Sequence, residues 1–426
     1  MPKIPNLKEL SFLVYGLGLS GQSVAKFFRK KKIKFKIWDD KQKNLLRKYR
    51  TKNLNKTLAE VDYIILTPGI SLIKNKKLKK FKKKIITDID LFFLINKIKK
   101  HKTIVVTGTN GKSTTCKLLE HLLKKNKINC SIGGNIGKPI LDLNISKNKF
   151  VIIEASSFQL SHSQFICPNY AFFLNITNDH LDWHGSMKNY LNSKLKIFNL
   201  QTKNNYAFAN KRLKKIFVKK KFLSKFITPK NKEFRMIKYK IQNEYLVSTI
   251  NEENMSFIYT FAKLLGIKKE LFIDAMKSFK GLSHRFEIFL KKKNITFIND
   301  SKATSFLATQ SALSSLKNIY WILGGLPKKG DKIKLSNYKN NIVKCYLIGK
   351  NINFFKNQIK GQINFSITKN LKKSLIQILK DIKNHNNVHK NILLSPSAAS
   401  FDQFTNFEQR GELFKKICKI YGGKLI

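Results

Sequence analysis

The apolar residues of this chain fall into two kinds of run that alternate along its length. Short continuous runs such as LSFLVYG (10–16), IKFKIWDD (33–40), VDYIILTPG (61–69), KTIVVTG (102–108), KFVIIEA (149–155) and YAFFLNI (170–176) read as strands buried on both faces. Between them, SGQSVAKFFRKKK (20–32) and residues 115–126 read as helices, and KKIITDIDLFFLI (83–95) continues the alternation. NMSFIYTFAKLLG (254–266) carries apolar residues at helical spacing, with KELFIDAMKSF (269–279) after it. A new series of strands then begins with ITFINDS (295–301), IYWILGG (319–325), KCYLIGK (344–350) and NILLSPSAAS (391–400). Strand–helix–strand rhythm predicts parallel sheets with crossover helices. The pattern restarts after the lysine-rich turn at 97–102 and again near GLSHRFE (281–287), which predicts three α/β domains over 1–96, 97–281 and 282–426. Only the polar stretch near 200–250 shows no clear pattern.

Composition changes this picture little. The formal net charge of +59 is large, but seven of the 84 basic residues are arginine and the rest are lysine, in runs scattered along the whole chain. Together with abundant Ile, Asn and Phe this reads as genome compositional drift. A dedicated nucleic-acid surface would cluster arginine with aromatics, so no nucleic-acid partner is expected. The field favours polyanionic substrates, and each remaining arginine becomes informative. Cys116, Cys130, Cys167, Cys345 and Cys418 form no metal-binding or paired spacing and read as reduced thiols of a cytoplasmic protein. No run approaches the roughly 18 apolar residues of a membrane span, so no membrane insertion is expected.

Candidate chemistry sits at strand ends. GLGLSG (16–21) with Asp39 and Asp40 after the next strand fits a diphosphate or dinucleotide loop at a helix N-terminus. TGTNGKST (107–114) reads as a phosphate cradle: Gly108 and Gly111 for close backbone approach, Lys112 for phosphate oxygens, Ser113 for Mg²⁺. Val106 stands where the usual pattern has its first glycine, so the spacing departs while the G-K-S-T core is intact. Glu154 and His180 follow strands and could serve a metal beside the phosphates.

TGTNGKST, GGNIGKP (133–139), EASSFQL (154–160), NITNDHLDWHG (175–185) and SKLKIF (193–198), followed in order by GLSHRFE, NDSKATS (299–305), LGG (323–325) and SPSAASFDQFTNFEQRG (395–411), together resemble the Mur ligases over about 10–415. The resemblance implies a Rossmann-like N-terminal domain that binds a UDP sugar, a central P-loop ATPase-like parallel-sheet domain, and a Rossmann-like C-terminal domain that binds the amino acid. The N-terminal glycine loop and the SAASFDQF segment resemble the D-glutamate-adding branch. That implies an ATP-dependent ligase joining D-glutamate to UDP-N-acetylmuramoyl-L-alanine through an acyl phosphate, in cytoplasmic peptidoglycan precursor synthesis, working as a monomer. The alternative is another Mur-type or folylpolyglutamate-synthase-like amino-acid ligase.

By the same resemblance, Gly108, Thr109, Asn110, Gly111, Lys112, Ser113, Thr114, Asn254, Arg285, Asp300 and Lys302 would bind ATP. Leu19, Ser20, Asp39, Gly69 and Asn135 would bind the UDP sugar. Thr304, Ser400, Phe401 and Phe407 would hold D-glutamate with Lys328, for which Lys329 is an alternative. Lys112, Lys194, Glu154 and His180 would be catalytic, and Ser113, Glu154, His180 and Lys194, as a carbamate, would ligate two Mg²⁺ ions. The family often has His-Asn where this chain has Ile250-Asn251, a departure on the adenine side.

Overall fold

The computed structural model describes residues 6–42, 44–73, 75–95, 101–247, 249–328, 330–383 and 388–424. Residues 96–100, where the first expected boundary falls, and Lys329 lie outside them. The chain divides into two compact units, one of residues 1–241 with 253–279, the other of 242–252 with 280–426.

The first unit contains two sheets. β1 (Phe12–Tyr15), β2 (Phe35–Trp38), β3 (Tyr63–Leu66) and β4 (Ile85–Ile86) pair in parallel in the order β2-β1-β3-β4. The run 83–95 divides into the two-residue β4 and a helix, Asp88–Ile95, whose Ile89–Leu94 face is buried. Side chains alternate across β1, so Phe12 and Val14 join one core and Leu13 and Tyr15 the other. Asp90 ties this sheet's domain to the next: its buried carboxylate accepts backbone N–H bonds from Thr87, Gln164 and Phe165.

The second sheet holds β5 (Lys102–Thr107), β6 (Cys130–Gly134), β7 (Phe150–Glu154), β8 (Tyr170–Phe173), β9 (Tyr206–Ala209) and β10 (Lys225–Ile227), all parallel in the order β10-β9-β8-β5-β7-β6. β9 and β10 come from the stretch whose order the sequence pattern left open. Aromatic cross-strand pairs hold β9 in place: Phe172 lies opposite Phe208 with rings stacked at 4.4 Å, and Tyr170 opposite Tyr206 at 5.5 Å.

The second unit carries β11 (Glu287–Lys292), β12 (Ile295–Asn299), β13 (Ile319–Gly324), β14 (Ile342–Ile348), β15 (Phe365–Lys369) and β16 (Lys390–Leu394) in the order β11-β12-β16-β13-β14-β15. β11 runs antiparallel at one edge and the others are parallel. Both faces are covered by apolar clusters, one around Tyr320, Tyr346 and Phe414, the other around Trp321, Leu347 and Phe355. In each sheet the loops that leave the C-terminal strand ends carry the candidate site residues, as parallel α/β sheets generally arrange them.

Candidate active site

The cradle forms where β5 ends and the helix Lys112–Lys125 begins, at the positive end of the helix dipole. Gly111 has φ +82°, and a Cβ there would run into Asn254 Oδ1. Glycine is therefore required, and Asn254 is packed onto the loop, its Oδ1 also accepting from Thr115 Oγ1 at 3.3 Å. Asn175 braces the other side, its carbonyl accepting from Thr109 N at 3.0 Å and its Oδ1 from Asn110 N at 2.9 Å. Ser113 and Thr114 are buried at the helix start.

Two lysines converge on this loop. Lys112 Nζ donates to Gly108 O at 2.9 Å and Thr109 O at 2.8 Å. Lys194 Nζ, from the helix Met187–Leu195, reaches the same Gly108 carbonyl at 2.7 Å and lies 4.6 Å above the Tyr190 ring. Lys194 is only 1% exposed. Burial, then the charge of Lys112, push its ammonium well below the ordinary lysine range. Burial thus disfavours the charged form of this side chain relative to an exposed lysine.

Register puts Glu154, the last residue of β7, opposite Val106, two residues before Gly108. Glu154 is 2% exposed. Its Oε1 accepts from Asn135 Nδ2 at 2.8 Å, while its buried Oε2 has no hydrogen-bond partner. A buried, unpaired carboxylate oxygen is costly unless a cation completes it. Asn135 also donates its backbone N–H to Glu154 O at 2.9 Å, so two bonds fix it to this residue. Among the described residues no group of three or more His, Cys, Asp or Glu side chains could hold a metal.

His180 caps the short helix Leu181–His184 with φ +53°, held there by Asp179, whose Oδ1 accepts its backbone N–H at 2.9 Å and whose Oδ2 lies 3.4 Å from its Nε2. The ring packs 4.7 Å from Phe158. Three neighbours of this site escaped the sequence reading. Asp179 orients His180. Tyr190, one helical turn before Lys194, hydrogen-bonds Thr109 Oγ1 at 3.1 Å, and that four-residue spacing was the available signal. His184 is buried between Ser157 Oγ at 3.0 Å and Ser193 Oγ at 3.5 Å. Burial, then the His180 and Lys194 charges, push it down to about 4, so it is neutral near pH 7.

The N-terminal glycine loop is built tightly. Gly16 has φ +97°, and a Cβ on Gly21 would overlap Gly16 O, whereas Gly18 opens onto free space. Leu19 is 79% exposed. Ser20 hydrogen-bonds the buried Asp88, which also accepts from Gln159 of the second sheet's domain. Asp39 Oδ2 accepts from Leu17 N at 2.6 Å and Oδ1 from Lys41 N and Gln42 N at 2.8 Å. Burial alone would push its carboxyl up, but the amides of Gln42, Leu17 and Lys41 and the nearby Arg50 outweigh burial and hold Asp39 below the usual range. Gly69 is exposed just after β3.

In the second unit, Asp300 follows β12. Its Oδ2 accepts from Ser395 Oγ at 2.7 Å and its Oδ1 from Phe286 N at 3.1 Å, which places it beside Arg285. Lys302 Nζ sits 4.2 Å from the Phe407 ring centre. Thr304, Lys328, Ser400 and Phe401 lie on the loops after β12, β13 and β16, Ser400 buried and Phe401 69% exposed. Burial pushes Asp300 up to about 7 against the opposing hydrogen bonds and the Arg285 and Arg410 charges. An acid raised above its ordinary value stabilises the fold fully below about pH 4 and loses that contribution as pH rises through 7. Asp300→Asn should therefore gain stability over the native chain as pH rises from 5 to 8, by about 2–3 kcal/mol. Denaturant unfolding at both pH values checks this, and an offset independent of pH would contradict it.

Comparison with known proteins fits this geometry. The Mur ligase middle domain matches residues 106–271, and the N-terminal domain of the MurD-like Mur ligases matches 10–89. The chain is 37% identical to the UDP-N-acetylmuramoylalanine–D-glutamate ligase of Rickettsia felis over 95% of this chain and 96% of that protein. It is 34% identical to the ligase of that name from the Wolbachia of Brugia malayi, covering 98% and 97%. Among solved structures, the MurF ligase of Thermotoga maritima in complex with ADP shares the fold with a TM-score of 0.58 at 15% identity, covering 98% of each chain. From the cradle to the C-terminal sheet, this chain belongs to the Mur ligase family.

Proposed function

We propose that this protein joins D-glutamate to UDP-N-acetylmuramoyl-L-alanine at the expense of ATP, in peptidoglycan precursor synthesis. The observation that carries this reading is the end-to-end relationship to ligases of that name, and the chemistry of the cradle supports it. A carboxylate is a poor acyl donor. Its oxygen first attacks the γ-phosphorus of ATP, releasing ADP and forming an acyl phosphate. The amine of D-glutamate then adds to the acyl carbon, loses a proton, and expels phosphate.

The chain's part is to hold anions together and keep water out. Gly108, Thr109, Asn110, Gly111, Ser113 and Thr114 present backbone and hydroxyl donors to the ATP phosphates, and Lys112 supplies charge there. Asn254, Arg285, Asp300 and Lys302 are assigned to the nucleotide. Leu19, Ser20, Asp39, Gly69 and Asn135 are assigned to the UDP sugar, and Thr304, Lys328, Ser400, Phe401 and Phe407 to D-glutamate. Glu154, with its unpartnered Oε2, and Ser113 and His180 would hold Mg²⁺. When bound, Mg²⁺ offsets the charge between phosphate and acceptor carboxylate.

Lys194 fits a carbamate. Its depressed ammonium makes a free amine available, whose nitrogen can add to CO₂ with loss of one proton, turning a buried cation site into an anion able to bind metal. The buried cysteine thiols suit a reducing, cytoplasmic setting. No helix among the described residues is long and apolar enough to cross a membrane. We read the enzyme as a monomer.

The test is phosphate release with ATP, Mg²⁺ and UDP-N-acetylmuramoyl-L-alanine, comparing D-glutamate, L-glutamate and no amino acid, with product mass checked. The expected conjugate forms with D-glutamate alone. A conjugate with another amino acid would move the chain to a different branch of the family.

A further inference from the structure

We infer that Arg410, to which no role in this site is otherwise given, is the positioning residue that sets the mutual spacing of the three strand-end loops of the second unit. This rests on the reading above that those loops hold the amino acid. Arg410 lies in the first turn of the helix Phe407–Lys424 and is 1% exposed. Its Nε donates to Ser301 Oγ at 3.0 Å, and its Nη2 donates to Ser301 O at 2.7 Å and Ala398 O at 3.0 Å. Ser301 belongs to the loop after β12 and Ala398 to the loop after β16. Its Nη1, which has no hydrogen-bond partner, faces the loop after β13: a methyl placed on Gly325 would lie 3.2 Å from it.

The loops are also tied to one another. Leu326 and Ala399 exchange backbone hydrogen bonds at 2.8 and 3.0 Å, and Ser301 Oγ donates to Phe407 O at 2.8 Å. Arg410 is the one side chain among these contacts that faces all three loops. Those loops carry Thr304, Lys328 and Ser400 with Phe401, and the helix that carries Arg410 starts at Phe407. The residue type matters. Arginine offers a planar fork of five donors, so one side chain meets three acceptors in two directions, which a lysine ammonium cannot do from the same stem. This is one of seven arginines in a chain with 84 basic residues, and it is buried where a lysine would reach fewer partners. Its charge faces Asp300 and Asp402.

The test uses the full chain with Arg410→Lys, and Ser301→Ala as a milder second variant that removes the Nε acceptor. For Arg410→Lys, KM for D-glutamate should rise about tenfold or more while KM for UDP-N-acetylmuramoyl-L-alanine stays within twofold. Ser301→Ala should move the same way by a smaller factor. Hydrogen–deuterium exchange should speed up together in 300–305, 325–328 and 395–406 and stay unchanged in β5 and β7. A D-glutamate KM within twofold of native, an equal rise for both substrates, or unchanged exchange in any of the three loops would overturn the assignment. The exchange arm decides it even if the native enzyme proves not to use D-glutamate, an outcome that would instead remove the substrate reading.

Discussion

Replacing Lys194 by alanine is expected to lower ligation at least a thousandfold, about 4 kcal/mol of transition-state stabilisation, and a small carboxylate such as acetate or formate is expected to restore part of it. The side chain has no access to water and shares the Gly108 carbonyl with Lys112. A permanent cation there would repel Lys112 at short range in a poorly screened site. The carbamate reading makes the functional group an anion, so a diffusible anion can replace it once the side chain is cut back to alanine. Removal of a structural cation would not respond to carboxylate. Lost activity without rescue, together with an intact amine detected on Lys194 by mass analysis in CO₂-equilibrated buffer, would remove the carbamate from the account.

Glu154→Gln should be as damaging, with kcat lower by about a thousandfold and a raised Mg²⁺ requirement. The change is nearly isosteric. The amide oxygen of the new side chain can still accept from Asn135 Nδ2, as Glu154 Oε1 does now. What changes is the second position, where an unpartnered carboxylate oxygen becomes an N–H₂ donor that repels a cation. Because burial and the Asn135 bond survive, the melting temperature should fall little or rise. Removing an unpaired buried charge commonly has that effect. A Mg²⁺ titration and a thermal melt separate the possibilities: native Mg²⁺ dependence with reduced stability would mean that Glu154 is a structural carboxylate.

Much of this was legible in the sequence, for identifiable reasons. Interior strands such as β5 and β7 announce themselves because both faces are buried and the apolar run is unbroken. The cradle is legible because glycine, lysine and hydroxyl residues are needed at fixed offsets, and Gly111 has no room for a side chain. Edge strands were harder. EIFLKK of β11 and FSITK of β15 have largely half-exposed positions, so no apolar run marks them. β9 is a four-residue strand among lysines, and its place depends on ring stacking with β8, a long-range contact no local window contains. Arg410 was counted among the few arginines, yet nothing local to FEQRG says that its side chain is buried against Ser301, 109 residues away in sequence. Asp179 and His184 were hidden inside a motif whose first histidine drew the attention.

In the proposed reaction phosphate passes to a carboxylate and is displaced by an amine. The direct measurement is oxygen tracing. UDP-N-acetylmuramoyl-L-alanine labelled with heavy oxygen in its alanyl carboxylate is turned over with ATP, Mg²⁺ and D-glutamate, and the released phosphate is weighed by mass spectrometry. The acyl-phosphate route predicts one labelled oxygen in each phosphate and one left in the new amide. Unlabelled phosphate alongside amide formation would contradict it, because the carboxylate oxygen would then have left by some other path.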